Sequence, residues 1–329
     1  MNIIRSLEQI EQPFSRAVVT LGNFDGVHLG HREIFRRVVR SARQRGGTSV
    51  VCTFNPHPLK MLAPQQAPRL INTAEEKERL IAASAVDVML QIPFTPELAS
   101  LTPEQFVDDI LLKTIGVEHL IVGYDYAFGK GRAGSVGFLQ RQGHEKGFTV
   151  DVFGPVQFQG QVLSSTRVRQ TILRGDVAGA VDLLGRHFNL EGRVVHGDNR
   201  GHQLGFATAN LETDKELLPP AGVYAAKVRH GDNEFDAVVN LGQKPTFGEH
   251  AFSIEVHLLD FSGDLYDQTL RLYFVDRLRE EKRFPSAQAL ISAIRQDVAT
   301  ARQKLATTRI IEFREYLAVD QNGETPACR

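Results

Sequence analysis

The stretch Gly22-Asn23-Phe24-Asp25-Gly26-Val27-His28-Leu29-Gly30-His31 decides the fold of the first half of the chain. It follows an apolar, β-branched run from Ala17 to Leu21 and precedes an amphipathic pattern that continues from Glu33. This order predicts a strand, a glycine-rich turn and the start of a helix. Unpaired backbone N–H groups and the positive end of the helix dipole suit a phosphate there. Because His28 and His31 are three residues apart, both are predicted to point at one spot.

The glycine spacing excludes two common phosphate-binding motifs, the Walker A loop and the dinucleotide fingerprint Gly-x-Gly-x-x-Gly. A second glycine-rich stretch, 123–134, is not a Walker A loop either, because Gly131 stands where Ser or Thr is required. The alternative for the first turn is a plain strand-to-helix connection with two exposed histidines. It is less well supported, because the glycines, Asp25 and both histidines coincide at one turn.

Length and composition indicate an ordinary globular protein of two domains. The chain has 329 residues, 42% of them hydrophobic and 23% charged, and a formal net charge of −1. This charge balance argues against nucleic-acid and membrane partners. Cys52 and Cys328 lie in an apolar strand pattern and a polar tail, which suggests neither a disulfide framework nor a thiolate metal site. We therefore expect a cytoplasmic enzyme, with its oligomeric state open between a monomer and a weak homo-oligomer.

The first half of the chain alternates between strand and helix patterns. Helix-like stretches begin near Gly30, Thr73, Thr102 and Ser135, and those at Thr73 and Thr102 have capping-box spacing. Strands alternating with helices predict a doubly wound, Rossmann-like parallel sheet, which binds ligands at the carboxyl ends of its strands. The predicted strands are 18–21, 49–54, 86–92, 119–122 and 149–153.

The second half has a different pattern. Short helices are predicted at 165–173 and 177–184, and a longer one at 285–305. Between them, glycine and Asp/Asn turns separate short strands, as in a small antiparallel β-barrel. The predicted domains are therefore 1–185 and 186–310, followed by a C-terminal tail, 311–329, that is disordered from Asp320. The predicted barrel strands are 190–195, 223–229, 235–240, 253–259 and 269–275.

Further candidate residues lie at the ends of these elements. Tyr124, Tyr126 and Phe128 follow a strand, and could form a wall for a planar ring or equally pack in the core. The stretch 163–169 places hydroxyls and arginines at a helix start, which suits phosphate oxygens, although Ser164 as a simple N-cap also explains the serines.

In the second half, Thr208 and Asn210 supply oxygen ligands of the type that Mg²⁺ accepts, although Thr-x-Asn alone is more often a turn. Glu255, His257 and Leu259 are predicted to share one face of a strand, and a solvent-facing side explains that pattern by default.

Taken together, these segments resemble the bacterial-type bifunctional riboflavin kinase/FAD synthetase family, from about Arg16 to Leu305. The most specific elements are the stretch 22–31, Pro56-His57-Pro58, the stretch 164–169 and Gly205-Phe206-Ala207-Thr208-Ala209-Asn210. The resemblance implies an N-terminal Rossmann-like nucleotidyltransferase domain that makes FAD from FMN and ATP. It also implies a C-terminal riboflavin kinase-like barrel, with a C-terminal helix, that makes FMN from riboflavin and ATP.

By the same resemblance, His28 and His31 contact the ATP phosphates and stabilise charge on the transferred α-phosphoryl group. The nucleotide turn is Gly22, Asn23, Phe24 and Asp25; the second phosphate motif is Ser164, Thr166 and Arg167; the flavin-binding residues are Pro56, Pro58, Asp125, Tyr126 and Phe128. Mg²⁺ is implied to neutralise the departing pyrophosphate.

In the barrel, the resemblance makes Glu255 the base that takes the proton of the ribityl hydroxyl. It makes Thr208 and Asn210 the ligands of the Mg²⁺–nucleotide complex, with a turn from Gly197 to Gly201 over the nucleotide.

The chain departs from the family pattern at Ala207, where proline is usual, so we expect a looser loop before Thr208. Two alternatives stay open at this point. One is an adenylyltransferase whose barrel is a silent flavin-binding module, and the other is a non-catalytic flavin carrier.

Overall fold

The computed structural model describes residues 1–197, 206–243 and 252–312, except for the side chains of Gln243 and Phe252. The chain divides into two compact units, 1–165 and 166–329. The division falls before the boundary predicted at 185/186, because the second of the two short helices between these points packs against a strand of the second unit.

The first unit is built on a parallel sheet of six strands in the order β1-β4-β3-β2-β5-β8. From β2 the chain continues to one side through β3 and β4 and then to the other through β5 and β8, so the predicted doubly wound architecture is confirmed. The strands are β1 (Asn2–Ile4), β2 (Ala17–Leu21), β3 (Ser49–Asn55), β4 (Val88–Pro93), β5 (Val117–Gly123), β6 (Ala127–Phe128), β7 (Gly134–Ser135), β8 (Thr149–Phe153), β9 (Gln157–Phe158) and β10 (Gln161–Val162).

Helices begin within one residue of the four predicted starts near Gly30, Thr73, Thr102 and Ser135, whereas those at Pro58–Leu62 and Pro96–Ser100 were not predicted. Both capping boxes are formed: the Thr73 hydroxyl accepts from Glu76 N, and the Thr102 hydroxyl from Gln105 N, each at 3.2 Å. The helices are α1 (Leu29–Arg45), α2 (Pro58–Leu62), α3 (Ala74–Ala82), α4 (Pro96–Ser100), α5 (Pro103–Gln105), which continues as a π-helix (Phe106–Ile115), and α6 (Val136–Lys146).

The core of the first unit lies on the faces of this sheet. All five residues of β2 are buried, as expected for a central parallel strand covered on both sides. Leu21, Cys52 and Val122 pack in one cluster with apolar residues of the π-helix and α6. The loops that leave the carboxyl ends of the strands therefore start from a buried core.

The second unit contains a closed antiparallel barrel, with strand order β11-β12-β15-β14-β13-β16 and closure between β16 and β11. Strand β12, which begins inside the Thr-x-Asn motif at Ala209, was not predicted from the sequence. The elements are α7 (Ser165–Leu173), α8 (Val177–Leu184), β11 (Asn189–Val195), β12 (Ala209–Glu212), β13 (Gly222–His230), β14 (Asn233–Gln243), β15 (Phe252–Leu258), β16 (Thr269–Glu280) and α9 (Ala287–Leu305).

Helix α9 covers one side of the barrel. Its residues Ala301 and Leu305 pack with Val223, Val238 and Leu259 in a small apolar cluster. The chain then returns to the barrel, where Ile311 N donates to His187 Nδ1 at 3.0 Å and Glu312 bonds Arg229 and Tyr273. Residues 311 and 312, which the predicted tail includes, therefore contact the barrel.

Candidate active sites

Three of the predicted site segments leave neighbouring strands of the parallel sheet at the same edge. The turn from Gly22 follows β2, Pro56 follows β3 and Asp125 follows β5, and these strands are adjacent in the order β3-β2-β5. The chain reverses its winding direction between β2 and β5, which is where ligands bind in doubly wound sheets. The predicted nucleotide and flavin residues are thus brought to one edge.

The turn after β2 has a backbone that few residues adopt without support. Phe24, Gly26 and Val27 have φ angles of 47°, 83° and 38°, all in the left-handed region. A Cβ on Gly22 would lie 2.9 Å from the Phe24 ring, so a larger residue there would displace that ring. Backbone strain of this kind is typical of ligand-binding turns and must be held by the surroundings.

The two histidines lie together at the start of α1. His28 is the N-cap, and its Nδ1 accepts a hydrogen bond from His31 N at 3.4 Å. The rings stack with centroids 3.6 Å apart and planes 20° apart, and the edge of Phe24 supports His31. Because Nδ1 of His28 accepts, the neutral ring carries its hydrogen on Nε2, where it is a donor suited to an anionic oxygen.

Asp25 joins the turn to two distant segments. Its side chain is buried, and Oδ1 accepts from Ile71 N at 2.9 Å and from Asn72 N at 3.4 Å. Its carbonyl oxygen accepts from the Ser165 hydroxyl at 2.8 Å. Ser165 lies in the predicted phosphate-binding stretch 163–169, but it was not predicted as a site residue. This bond links the turn to the second predicted phosphate motif.

Lys77 is a residue that the sequence analysis missed. From α3 its ammonium reaches the Asn23 carbonyl oxygen at 2.9 Å and the Thr53 hydroxyl at 3.5 Å. Burial lowers the pKa of Lys77, and the charge of Asp25 opposes that shift. An isolated lysine in a helix gives no sequence signal for this contact.

The flavin candidates differ in their accessibility. Asp125 is exposed, whereas Phe128 is 8% exposed and packs on Phe106 with ring centroids 5.3 Å apart. Tyr126 stacks on Phe128 at 5.7 Å and also packs on the core, and burial raises its pKa. Phe128 therefore supports Tyr126 from behind. Pro56 and Pro58 lie at the end of β3 and at the first position of α2.

The second phosphate motif lies at the start of α7. Ser164 directly precedes the helix and is half-buried, as is Arg167, whereas Thr166 is exposed. Ser164 belongs to the first compact unit, and Thr166 and Arg167 to the second. The structure thus places these residues at a helix start, as the sequence analysis predicted.

A row of polar residues crosses three adjacent strands of the barrel. Asn210 on β12 lies opposite Glu255 on β15, and Glu255 lies opposite Asn240 on β14. Directly opposed residues in antiparallel strands point to the same side, so one face carries two amides and a carboxylate together. Asn240 was not predicted from the sequence as a site residue.

Gly197 provides room for Asn210 at the end of this row. A Cβ on Gly197 would lie 2.0 Å from Nδ2 of Asn210. Thr208 comes just before β12, two residues from Asn210, and both side chains are half-buried. The predicted partner glycine, Gly201, lies outside the described residues.

Comparison with known proteins identifies two family domains in the order that these sites imply. The family model for FAD synthetase matches residues 10–167, and that for riboflavin kinase matches residues 184–305. A bifunctional riboflavin kinase/FMN adenylyltransferase from Pseudomonas fluorescens is 41% identical over 303 residues, which cover 92% of this chain and 97% of that protein. The chain belongs to the bifunctional riboflavin kinase/FMN adenylyltransferase family.

Other relatives agree in length and architecture. The bifunctional riboflavin kinase/FMN adenylyltransferase of Escherichia coli K12 is 38% identical, over 94% of this chain and 99% of that protein. A solved structure named as a macrolide-efflux protein from Streptococcus pneumoniae is 33% identical, with a TM-score of 0.83, over 91% of this chain and 98% of the other. In the part of the chain that the structure describes, no helix is sufficiently long and apolar to span a membrane.

The protein is therefore an enzyme of flavin nucleotide synthesis. Its barrel domain is a riboflavin kinase, which makes FMN from riboflavin and ATP, and its N-terminal domain is an FMN adenylyltransferase, which makes FAD from FMN and ATP. These two activities confirm the function predicted from the sequence.

Proposed function

We propose that the turn after β2 is the adenylyl-transfer site and that His28 and His31 are its catalytic residues. The stacked histidines at the N-terminus of α1 carry this proposal, because their donors and the backbone N–H groups converge where a phosphate is favoured. Gly22, Asn23, Phe24 and Asp25 form the nucleotide turn. Ser164, Thr166 and Arg167 supply further donors to phosphate oxygens.

In this reaction an FMN phosphate oxygen attacks the α-phosphorus of ATP, and the bond to pyrophosphate breaks. The nucleophile is already an anion, so no base is required. His28 and His31 stabilise the charge that develops on the phosphoryl oxygens. Pro56, Pro58, Asp125 and Tyr126, with Phe128 behind it, hold the flavin in line.

For the kinase, we propose that Glu255 takes the proton of the ribityl hydroxyl as its oxygen attacks the γ-phosphorus and ADP leaves. The acceptor is here a neutral alcohol, so a base is needed. Asn240 lies directly opposite Glu255 and orients it. Gly197 and Gly201 belong to the turn that covers the nucleotide.

The donor set beside Glu255 fits Mg²⁺. Thr208 and Asn210 offer hard oxygen ligands, and the missing side chain at Gly197 leaves the space that Asn210 occupies. These residues would hold the ion, which would neutralise phosphate charge in the kinase, as Mg²⁺ also would on the pyrophosphate of the N-terminal reaction.

One paired experiment tests both assignments. Purified full-length His28→Ala and Glu255→Gln are incubated with riboflavin, ATP and Mg²⁺, and products are separated by chromatography. We expect His28→Ala to accumulate FMN without FAD, and Glu255→Gln to form no FMN but to convert supplied FMN to FAD. Undiminished FAD synthesis by His28→Ala, or normal FMN synthesis by Glu255→Gln, would overturn the corresponding assignment.

We also place the enzyme in the cytoplasm, as a monomer or weak homo-oligomer. The buried free thiol of Cys52 and the need for ATP support this location. Cell fractionation tests the location, and sedimentation in the analytical ultracentrifuge tests the oligomeric state.

A further inference from the structure

The half-buried ammonium of Lys77 has no task in the two reactions described above. Lysine normally extends its charge into water, since burial penalises the charged form. Lys77 instead turns toward the strained turn after β2, where the Asn23 carbonyl oxygen lies 2.9 Å from Nζ. A hydrogen bond from an ammonium to a carbonyl is charge-assisted and stronger than a neutral one.

Two donors converge on this one carbonyl. The Thr53 hydroxyl donates to the Asn23 oxygen at 3.2 Å, and Lys77 lies 3.5 Å from the same hydroxyl. Thr53 is fully buried on β3, so it is a fixed reference point for the turn. The Asn23 carbonyl is thus held from the sheet and from α3 at once.

The held carbonyl stands at the entrance to the strained backbone. Phe24, Gly26 and Val27, all left-handed, follow Asn23 directly and lead to His28. A second clamp acts within this stretch, because Oδ1 of Asp25 accepts from Ile71 N just before α3. The segment 71–77 therefore fixes the turn at two points, by a backbone N–H and by the Lys77 ammonium.

We propose that Lys77 is a positioning residue of adenylyl transfer. Its ammonium fixes the Asn23 carbonyl and thereby the backbone conformation that presents His28 to the α-phosphate. This inference rests on the assignment of adenylyl transfer to the turn. Without the ammonium the turn relaxes, and misalignment of reacting groups reduces kcat more than it reduces nucleotide binding.

The test uses the full-length enzyme with FMN and Mg²⁺–ATP. We expect Lys77→Met to reduce kcat for FAD formation by about tenfold to a hundredfold, with KM for ATP changed less than about threefold. Lys77→Arg keeps a charged donor, and its kcat is expected to stay within about threefold of the wild-type value. Riboflavin phosphorylation in the same preparations stays unchanged, as an internal control for the barrel.

Lys146→Met is the matched control. Lys146 pairs with Asp108 on the same unit but away from the turn, and its replacement leaves FAD formation unchanged. His28→Ala is measured in parallel. If Lys77→Met retains wild-type kcat while His28→Ala loses FAD formation, the role of Lys77 is overturned and the site stands. If both retain activity, the site assignment itself fails.

A purely structural role gives a different pattern. It predicts that Lys77→Arg and Lys77→Gln lose activity equally, with parallel falls in thermal stability, and that result would overturn positioning by charge. Should Lys77→Met fail to fold, the comparison of Lys77→Arg with Lys77→Gln decides. The proposal requires kcat of the arginine variant to exceed that of the glutamine variant by about tenfold.

Discussion

The Nδ1 atom of His257 lies 2.8 Å from the carbonyl oxygen of Ala207. The His257 ring also meets the Phe206 ring edge-on, with centroids 5.6 Å apart. His257 follows Glu255 by two residues on β15, and Ala207 directly precedes Thr208. One side chain thus connects the strand of the proposed base to the segment of the proposed metal ligands, at the position where the family usually has proline.

We therefore expect His257→Phe to weaken the kinase. Phenylalanine keeps an aromatic ring against Phe206 but loses the hydrogen bond that holds Ala207. A lost bond of this kind corresponds to roughly a three- to tenfold rise in KM for Mg²⁺–ATP in FMN formation. Steady-state assays of both activities measure it, with conversion of supplied FMN to FAD as the unaffected reference.

A proline at position 207 provides the complementary variant. Because proline fixes φ, Ala207→Pro in the His257→Phe background is expected to recover at least part of the lost affinity. An unchanged KM in His257→Phe would show that the bond to Ala207 does not position the metal ligands.

Gly197→Ala is expected to inactivate the kinase without unfolding the barrel. The added Cβ would lie 2.0 Å from Nδ2 of Asn210, so the amide must leave its place beside Glu255. Loss of one ligand is expected to reduce FMN formation at least about tenfold. Isothermal titration with Mg²⁺–ADP and the kinase assay report the effect.

Gly231→Ala is the control glycine variant, because open space surrounds its Cβ. Its φ of 58° makes alanine there strained, so stability falls slightly while kinase activity remains. Normal nucleotide binding by Gly197→Ala would contradict the placement of Asn210 in the site.

Asp25→Ala is expected to loosen the turn after β2 through its backbone partners. The buried carboxylate accepts from Ile71 N, and its loss leaves that buried N–H without its acceptor. A penalty of about 1–3 kcal/mol for such a group corresponds to about fivefold to 150-fold faster exchange of the Ile71 amide through local opening. Hydrogen–deuterium exchange mass spectrometry of a peptide spanning this residue measures the change.

Asp25→Asn keeps a side-chain oxygen acceptor and is expected to show a smaller increase in exchange at Ile71. Peptides from β3 serve as the reference, since their amides pair within the sheet. Equal exchange at Ile71 in the wild type and Asp25→Ala would show that the carboxylate does not hold this segment.

The sequence predicts the elements better than it predicts the contacts between them. Strand-helix alternation and the capping boxes at Thr73 and Thr102 are local signals, and the structure confirms the elements that they predict. Strand β12 was missed because it is only four residues long and begins inside the Thr-x-Asn motif, which alone is more often a turn. Its place in the sheet depends on pairing with β11 and β15, which are distant in sequence.

The same limit applies to the candidate site, where the sequence predicts individual residues better than contacts between distant segments. Glycines and histidines at one turn identify the adenylyl-transfer candidates, because their chemistry is uncommon in that combination. Lys77 and Asn240 have no such local signal, since each acquires its neighbour from a distant segment. Only the fold brings the Lys77 ammonium to Asn23 and sets Asn240 opposite Glu255.

The ion pair between Arg279 and Asp297 is expected to be a major attachment of α9 to the barrel. Nε of Arg279 lies 3.0 Å from both carboxylate oxygens of Asp297, and the Asp297 side chain is 9% exposed. Asp297→Ala leaves the guanidinium without its buried partner, which costs about 3 kcal/mol in the free energy of unfolding. Urea unfolding followed by circular dichroism measures this loss.

The pair between Arg302 and Asp260 is a demanding control, because it also joins α9 to the barrel unit by two hydrogen bonds of 2.7 Å. The Asp260 side chain is 74% exposed, so solvent screens the attraction and Asp260→Ala is expected to leave the unfolding midpoint almost unchanged.

Replacing both partners of the buried pair, with Arg279→Met and Asp297→Leu together, is expected to recover most of the stability that Asp297→Ala loses, because no charge is then left unpaired. A double variant as unstable as Asp297→Ala would instead mean that the paired charges themselves hold α9 in place.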